Sequence, residues 1–139
     1  MSELTNLVNE YKVSDFVTFA GFVEGNEKEE LLQGSDVFIL PSFSENFGVA
    51  VAESLAAGTP VVITPEVQIS EYVEEYQAGI ISQGDVESFT SAIGDFIENK
   101  SSQIRYRENG LKLVRERFNW SKIASDLLKN YESLISKSV

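Results

Sequence analysis

The segment DVFILPSFSENFGVAVAESLAAGTPVVI, residues 36–63, decides the fold of this chain. Its apolar run Val37–Leu40 has the length of a buried strand, and so does Val61–Ile63 at its end. Between them, residues 48–57 are almost entirely apolar and predict a helix, which the following glycine and proline end. Such a strand–loop–helix–strand unit belongs to an open parallel sheet, which binds ligands beyond the carboxyl ends of its strands.

Two acids interrupt this segment, Glu45 in the loop and Glu53 on the helix. Glu45 follows the strand, where a ligand is expected, but Ser42 and Glu45 also fit an S-x-x-E capping box; spacing alone does not decide between them. The apolar neighbours of Glu53 leave its helix no obvious solvent face. An unpaired buried carboxylate is costly, so we expect Glu53 to be paired or to line a cleft.

Glycines mark two further candidate positions. Phe47 and Gly48 give a side-chain-free approach to the start of the helix, where free N–H groups and the helix dipole favour a phosphate. Gly21 follows another predicted strand and either lines the same edge of the sheet or serves a turn. Lys12 and Lys28, the two cations before residue 100, are predicted to be solvated helix residues.

The rest of the chain alternates predicted helices and strands, which indicates an α/β protein with a mostly parallel, Rossmann-like sheet and flanking helices. We predict a single domain over residues 1–139 with a helical closing segment at about 85–138. Asp85 and Ser121 are the expected N-caps of two of its helices. The other predicted elements are helices at 3–12, 27–33, 69–75 and 102–117 and strands at 16–20 and 79–81.

Composition excludes several kinds of site. The chain has no cysteine and no histidine, so thiolate nucleophiles are absent and acid–base chemistry needs carboxylates, Lys, Tyr or the substrate. Residues 1–99 carry 18 acids against two bases, which argues against nucleic acid as a partner. The basic segment 100–122 is expected to meet the acidic part of its own chain rather than phosphate or lipid. Without a membrane span or signal peptide, we expect a cytoplasmic location.

The central segment resembles the signature of a known enzyme family. The pattern of residues 36–62 resembles the E-x7-E signature of the family 4 retaining glycosyltransferases, which have the GT-B fold. Three flanking segments are also similar to that family: Val17–Phe22, Gly79–Ile81 and Phe118–Trp120. The resemblance covers nearly the whole chain and implies the later part of the C-terminal, donor-binding domain of such an enzyme, incomplete at its N-terminal side.

The resemblance implies roles for the matching residues. Glu45, the candidate catalytic residue, would contact donor-sugar hydroxyls near the reacting carbon, and Glu53 would bind the nucleotide ribose. Phe47, Gly48 and Val49 would offer backbone N–H groups to the sugar and diphosphate, with Gly21 beside the base and diphosphate. Members transfer a sugar from a nucleotide diphosphate sugar with retention, and no metal or cofactor is implied. In the full enzyme the location could also be peripheral to the membrane.

The chain also departs from the family pattern. It lacks the acceptor domain and the first two strands of the donor domain, whose Arg and Lys neutralise the diphosphate. The family's Gly-Gly-x-x-Glu loop is replaced by residues 65–71. Since the missing strands would separate strand 16–20 from strand 37–40, we expect rearranged pairing or a homodimer.

The leading interpretation is therefore a donor-binding part of a glycosyltransferase that needs a separate acceptor domain and has little or no activity alone. The alternative is a non-catalytic nucleotide-sugar-binding or self-associating module. A flavodoxin-like signalling domain is disfavoured, because Pro41 and Ser42 follow the strand where such a domain needs acidic residues.

Overall fold

The computed structural model describes residues 2–136 and is an α/β structure of three strands and flanking helices. A 3-10 turn, Ser14–Phe16, follows the first helix. The elements are α1 (Ser2–Glu10), α2 (Gly25–Gln33), β1 (Phe38–Leu40), α3 (Val49–Ala56), β2 (Val61–Ile63), α4 (Ser70–Tyr76), β3 (Gly79–Ile81), α5 (Val86–Glu98), α6 (Lys100–Arg117) and α7 (Trp120–Ser136).

The three strands form one parallel sheet in the order β1-β2-β3, so β2 is central. In this register Val62 lies between Ile39 and Ile80. A parallel neighbour requires a crossover, and α3 and α4 supply the two crossovers. The predicted mostly parallel α/β sheet with flanking helices is confirmed.

Side chains alternate between the two faces of β2, and each face has its own core. Val61 and Ile63 pack with α3, α4 and α6, where Leu55 and Leu113 are buried. Val62 points to the opposite face and packs with Phe89 and its neighbours on α5. The chain therefore folds into three layers, with a sheet between two helical layers.

Two N-caps are expected in the helical closing segment, Asp85 and Ser121, and the structure confirms the first but not the second. The Asp85 side chain accepts a hydrogen bond from the backbone N–H of Ser88 at 2.9 Å, as expected for the N-cap of α5. The Ser121 prediction is wrong, because Asn119 Oδ1 accepts the Lys122 N–H at 2.8 Å and α7 begins at Trp120. The sequence predicts that the helical closing segment extends to about residue 138. Helix α7 is described to Ser136, and residues 137 and 138 lie outside the described residues.

The predicted strand at 16–20 is wrong for the described chain. Phe16 ends the 3-10 turn, and residues 17–20 join no ladder in the sheet that the structure describes. Val17 has extended dihedral angles, and Phe16 and Phe19 are exposed. A strand needs a hydrogen-bonding neighbour, and the expected rearranged pairing with β1 is not formed in residues 2–136. A homodimer stays a prediction.

The basic helix α6 meets the acidic part of the chain, but at few points. Arg117 pairs with Glu75 at 2.9 Å and lies over the ring of Tyr72, while Arg107 Nε donates to the Gly58 carbonyl at 2.7 Å. The predicted contact is thus present for Arg117. No helix within residues 2–136 is long and apolar enough to cross a lipid bilayer.

Gly79 gives a test of the sheet. A Cβ at Gly79 would overlap the Val61 carbonyl oxygen and lie 2.7 Å from Val61 Cγ2. We expect Gly79→Ala to lower the free energy of unfolding by about 1 to 3 kcal/mol, since the added methyl forces β3 away from β2. Urea denaturation measures this. The control is Gly94→Ala in α5, where a Cβ meets no atom within 4 Å and should raise stability by about 0.5 to 1 kcal/mol. Changes of the same sign in both variants would contradict this account.

Asp85 gives a pH test. Its pKa lies below the usual 3.8, chiefly because the backbone N–H and then the hydroxyl of Ser88 donate hydrogen bonds to the carboxylate. A lowered folded-state pKa means that Asp85 stabilises the fold above 3.8 and loses this effect as the pH falls through the lowered value. Asp85→Ala should therefore be less stable than the parent at neutral pH, and the difference should shrink in acid. Urea midpoints against pH measure it, with Asp95→Ala as control; a difference that does not depend on pH would count against the cap.

Candidate functional site

Three loops meet at the carboxyl edge of the sheet. The loop after β1 pairs with the loop after β2 through an isolated parallel bridge between Glu45 and Val67. The Thr64 hydroxyl also donates to the Ser42 carbonyl across the same two loops. The loop after β3 joins them, because the Phe43 ring lies against Gly84. This is the edge where open parallel sheets bind ligands.

Helix α3 begins at this edge, and Gly48 is its N-cap. Gly48 is buried with φ +83°, and a Cβ there would lie 2.7 Å from Val67 Cγ1 and 3.2 Å from Ile69 Cγ2. Backbone conformation and packing therefore both require glycine. Within residues 2–136 no backbone carbonyl accepts the N–H of Val49 or Ala50, so the first turn offers free donors and the positive end of the dipole.

Glu45 lies on the loop beside this helix start. Glu45 is half-buried, and its carboxylate has no hydrogen-bond or ion-pair partner among residues 2–136. The capping-box alternative is not supported: the Ser42 hydroxyl bonds to the Ser44 backbone, and α3 has no side-chain cap. An unpartnered carboxylate at a ligand-binding edge can accept hydrogen bonds from hydroxyl groups.

Glu53 lies further along α3 and faces α2. Its Oε1 accepts from Lys28 Nζ at 2.6 Å, and both side chains are only 38–40% exposed. The pair lines a cleft of about 250 Å³ whose other walls include Leu32 and Ala56. The expectation that Glu53 is paired or in a cleft is met on both counts.

Lys28 lies on helix α2 as predicted, but its ammonium group is ion-paired with Glu53 rather than surrounded only by solvent. Sequence reasoning placed it on a helix but had no means of pairing it with a carboxylate 25 residues away. The predicted lack of a solvent face on α3 is wrong at its first turn, where the Val49 side chain is 62% exposed.

Phe47 has a structural contact that the sequence did not indicate. Its ring packs edge-to-face against Phe118 with centroids 5.2 Å apart, and Phe118 packs in the same way on Tyr72 at 5.5 Å. These rings tie the glycine-containing loop to the end of α6 and to α4. Edge-to-face pairs of this kind contribute about 0.5 to 1.5 kcal/mol beyond their burial.

Gly21 stands apart from the other candidates. Its φ is +73°, and a Cβ there would have no neighbouring heavy atom within 4 Å. The positive φ agrees with a turn glycine. The structure thus brings Glu45, Phe47, Gly48 and Val49 together at the sheet edge and places Glu53 in the adjoining cleft, and a binding role for Gly21 stays a prediction.

The chain belongs to the glycosyl transferases group 1 family, whose model matches residues 2–113. It is similar to the MMP alpha-(1->4)-mannosyltransferase of Mycolicibacterium hassiacum, with 27% identity over 133 residues. That alignment covers 94% of this chain and 32% of the mannosyltransferase. The chain therefore spans about a third of the length of the curated relatives it matches.

Solved structures agree with this assignment. The chain resembles the sucrose-phosphate synthase of Thermosynechococcus elongatus with a TM-score of 0.85 and 26% identity, covering 98% of this chain and 34% of that one. It also shares its fold with the C-terminal domain of the group 1 glycosyltransferase LpcC of Francisella tularensis, with a TM-score of 0.77 and 20% identity. That match covers 86% of this chain and 62% of the LpcC chain. The fold is that of part of the C-terminal domain of a GT-B glycosyltransferase, as the resemblance predicted.

Gly48 gives a test of the helix start. We expect Gly48→Ala to lower the free energy of unfolding by about 1 to 3 kcal/mol, since the new side chain meets both the strained φ and the Val67 methyl. Gly21→Ala is the matched control, because it has a similar positive φ but open space around its Cβ. Chemical denaturation of both variants separates strain from packing. Equal losses would show that the contact with Val67 has no part in the requirement for glycine.

Proposed function

We propose that this chain is the donor-binding part of a retaining glycosyltransferase that takes its sugar from a nucleotide diphosphate sugar. The observation that carries the proposal is the convergence of Glu45 and the free N–H groups of α3 at the carboxyl edge, with the Glu53 cleft beside them. A carboxylate accepts hydrogen bonds from hydroxyl groups, and a helix N-terminus favours an anion. Two carboxylates with a helix N-terminus between them therefore suit a ligand in which a diphosphate joins a sugar to a ribose.

In this proposal each group has one part of the donor to bind. Glu45 accepts from sugar hydroxyls near the reacting carbon, and Glu53 accepts from the ribose. The backbone N–H groups of Phe47, Gly48 and Val49 take the sugar and the nearer phosphate oxygens. Gly21 is assigned to the base and diphosphate side. The Arg and Lys that neutralise the diphosphate in the family are proposed to lie outside the segment that this chain matches.

Retention follows from attack and departure on one face of the sugar. The bond from the anomeric carbon to the diphosphate oxygen breaks, and the acceptor oxygen bonds to the same face of that carbon. The acceptor's proton passes to the leaving phosphate oxygen, so that no enzyme base is needed. A sequence without histidine is compatible with this route.

Transfer requires no metal ion in this scheme, and the acceptor is bound by a separate domain or subunit. The chain alone is proposed to have little or no transfer activity, because that domain completes the cleft. A cytoplasmic location, with membrane association at most peripheral, fits the use of nucleotide-activated sugars.

Titration with UDP-, GDP- and ADP-sugars, followed by calorimetry or NMR, tests the donor site. We expect the sugars of one of these three nucleotides to bind. Glu53→Ala should lower that affinity about tenfold or more, because the ribose loses a charge-assisted hydrogen bond. Glu132→Ala, on the exposed face of α7, should leave the affinity unchanged.

The alternative function is a module that does not catalyse transfer but associates with itself or with another subunit. The exposure of Phe16 and Phe22, at 87% and 88%, favours it, since large apolar side chains in one segment often mark an interface. Failure of every nucleotide sugar to bind, together with a dimer in light scattering, would replace the donor-site proposal by this one.

A further inference from the structure

We propose that Lys28 is a specificity-determining residue of the cleft beside Glu53, where its ammonium group discriminates ribose from 2′-deoxyribose by donating a hydrogen bond to the ribose diol. This inference rests on the proposed nucleotide-sugar function and adds a specificity-determining residue on α2. The geometry that points to it is the 2.6 Å ion pair at the cleft between α2 and α3.

The chemistry of the two groups is complementary to a diol. A carboxylate only accepts hydrogen bonds, an ammonium group only donates them, and each hydroxyl of a diol can do both. Lys28 Nζ donates a hydrogen bond to Glu53 Oε1, which leaves Glu53 Oε2 and the other ammonium N–H groups for a ligand. A diol at the cleft can therefore donate to Glu53 and accept from Lys28 at once.

The charge of the cleft selects a neutral part of the ligand. Its lining includes one cation, Lys28, and two acids, Glu29 and Glu53, for a net charge of −1. A diphosphate would be repelled there, whereas a ribose ring carries no charge. The positive charge of Lys28 is already engaged by Glu53, so Lys28 is not assigned to the diphosphate.

The shape of the cleft agrees with a sugar ring. Leu32, Ala56 and Ala57 supply apolar wall next to the ion pair, which ring carbons can contact. The side chains of Lys28 and Glu53 are 38% and 40% exposed, so a ligand can reach them without a rearrangement of α2 or α3. The pair also holds the Glu53 carboxylate toward α2, which fixes the side on which the ribose would bind.

The test compares the binding of ribonucleoside diphosphates and 2′-deoxyribonucleoside diphosphates to the full 139-residue chain. UDP, GDP and ADP and their 2′-deoxy forms are titrated against the parent, Lys28→Met, Lys28→Gln and Lys28→Arg by NMR chemical-shift perturbation. We expect the Met and Gln variants to lose about tenfold in affinity for the ribose form and less than about twofold for the deoxy form. Lys28→Arg should restore much of the preference, since it retains a cationic donor.

Several results separate the outcomes. Lys12→Met removes the other early cation and should change neither affinity, and inorganic pyrophosphate should bind the parent and Lys28→Met equally. Equal losses for ribose and deoxyribose forms, or a loss for pyrophosphate, would overturn the diol role and assign Lys28 to general charge. Nucleotide binding that is unaltered in all Lys28 variants would overturn the inference but leave the donor-site proposal standing. If the parent binds no nucleotide, both fail.

Discussion

The burial of the central strand on both of its faces is the constraint on which the rest of the structure depends. Val61, Val62 and Ile63 are completely buried, which no arrangement of a single helical layer could achieve. Burying an aliphatic side chain of this kind is worth about 1.5 to 3 kcal/mol. The helices must therefore divide between the two faces, with α5 on one side and α3, α4 and α6 on the other.

This division leaves the carboxyl edge of the sheet to the loops, and backbone contacts hold those loops in place. The bridge from Glu45 to Val67 and the hydroxyl bond from Thr64 to Ser42 join the first two loops. Val67 also packs against the N-cap glycine of α3, so the same residue fixes both the acidic loop and the helix start. Groups that are positioned before a ligand arrives lose less conformational entropy on binding it.

The sequence predicted local elements well because their signals are local. Residues 36–63 carry the apolar periods, the glycine and the proline that define two strands and a helix, and the structure confirms all three. The strand predicted at 16–20 failed because a strand is defined by its neighbour, which the apolar run does not contain. The N-cap of α7 was misplaced by two residues, since both Asn119 and Ser121 are good caps and only the path of the chain chooses between them.

By itself, the sequence determined the α/β class, the family and the two acids that mark the candidate site, because these depend on residue type and spacing along one segment. Tertiary structure decided which groups meet. It showed that Glu45 lacks a partner among residues 2–136, and it brought Lys28 from α2 to Glu53 on α3. The physical reason is that an ion pair across 25 residues depends on how two helices pack, and packing depends on the whole core rather than on either helix.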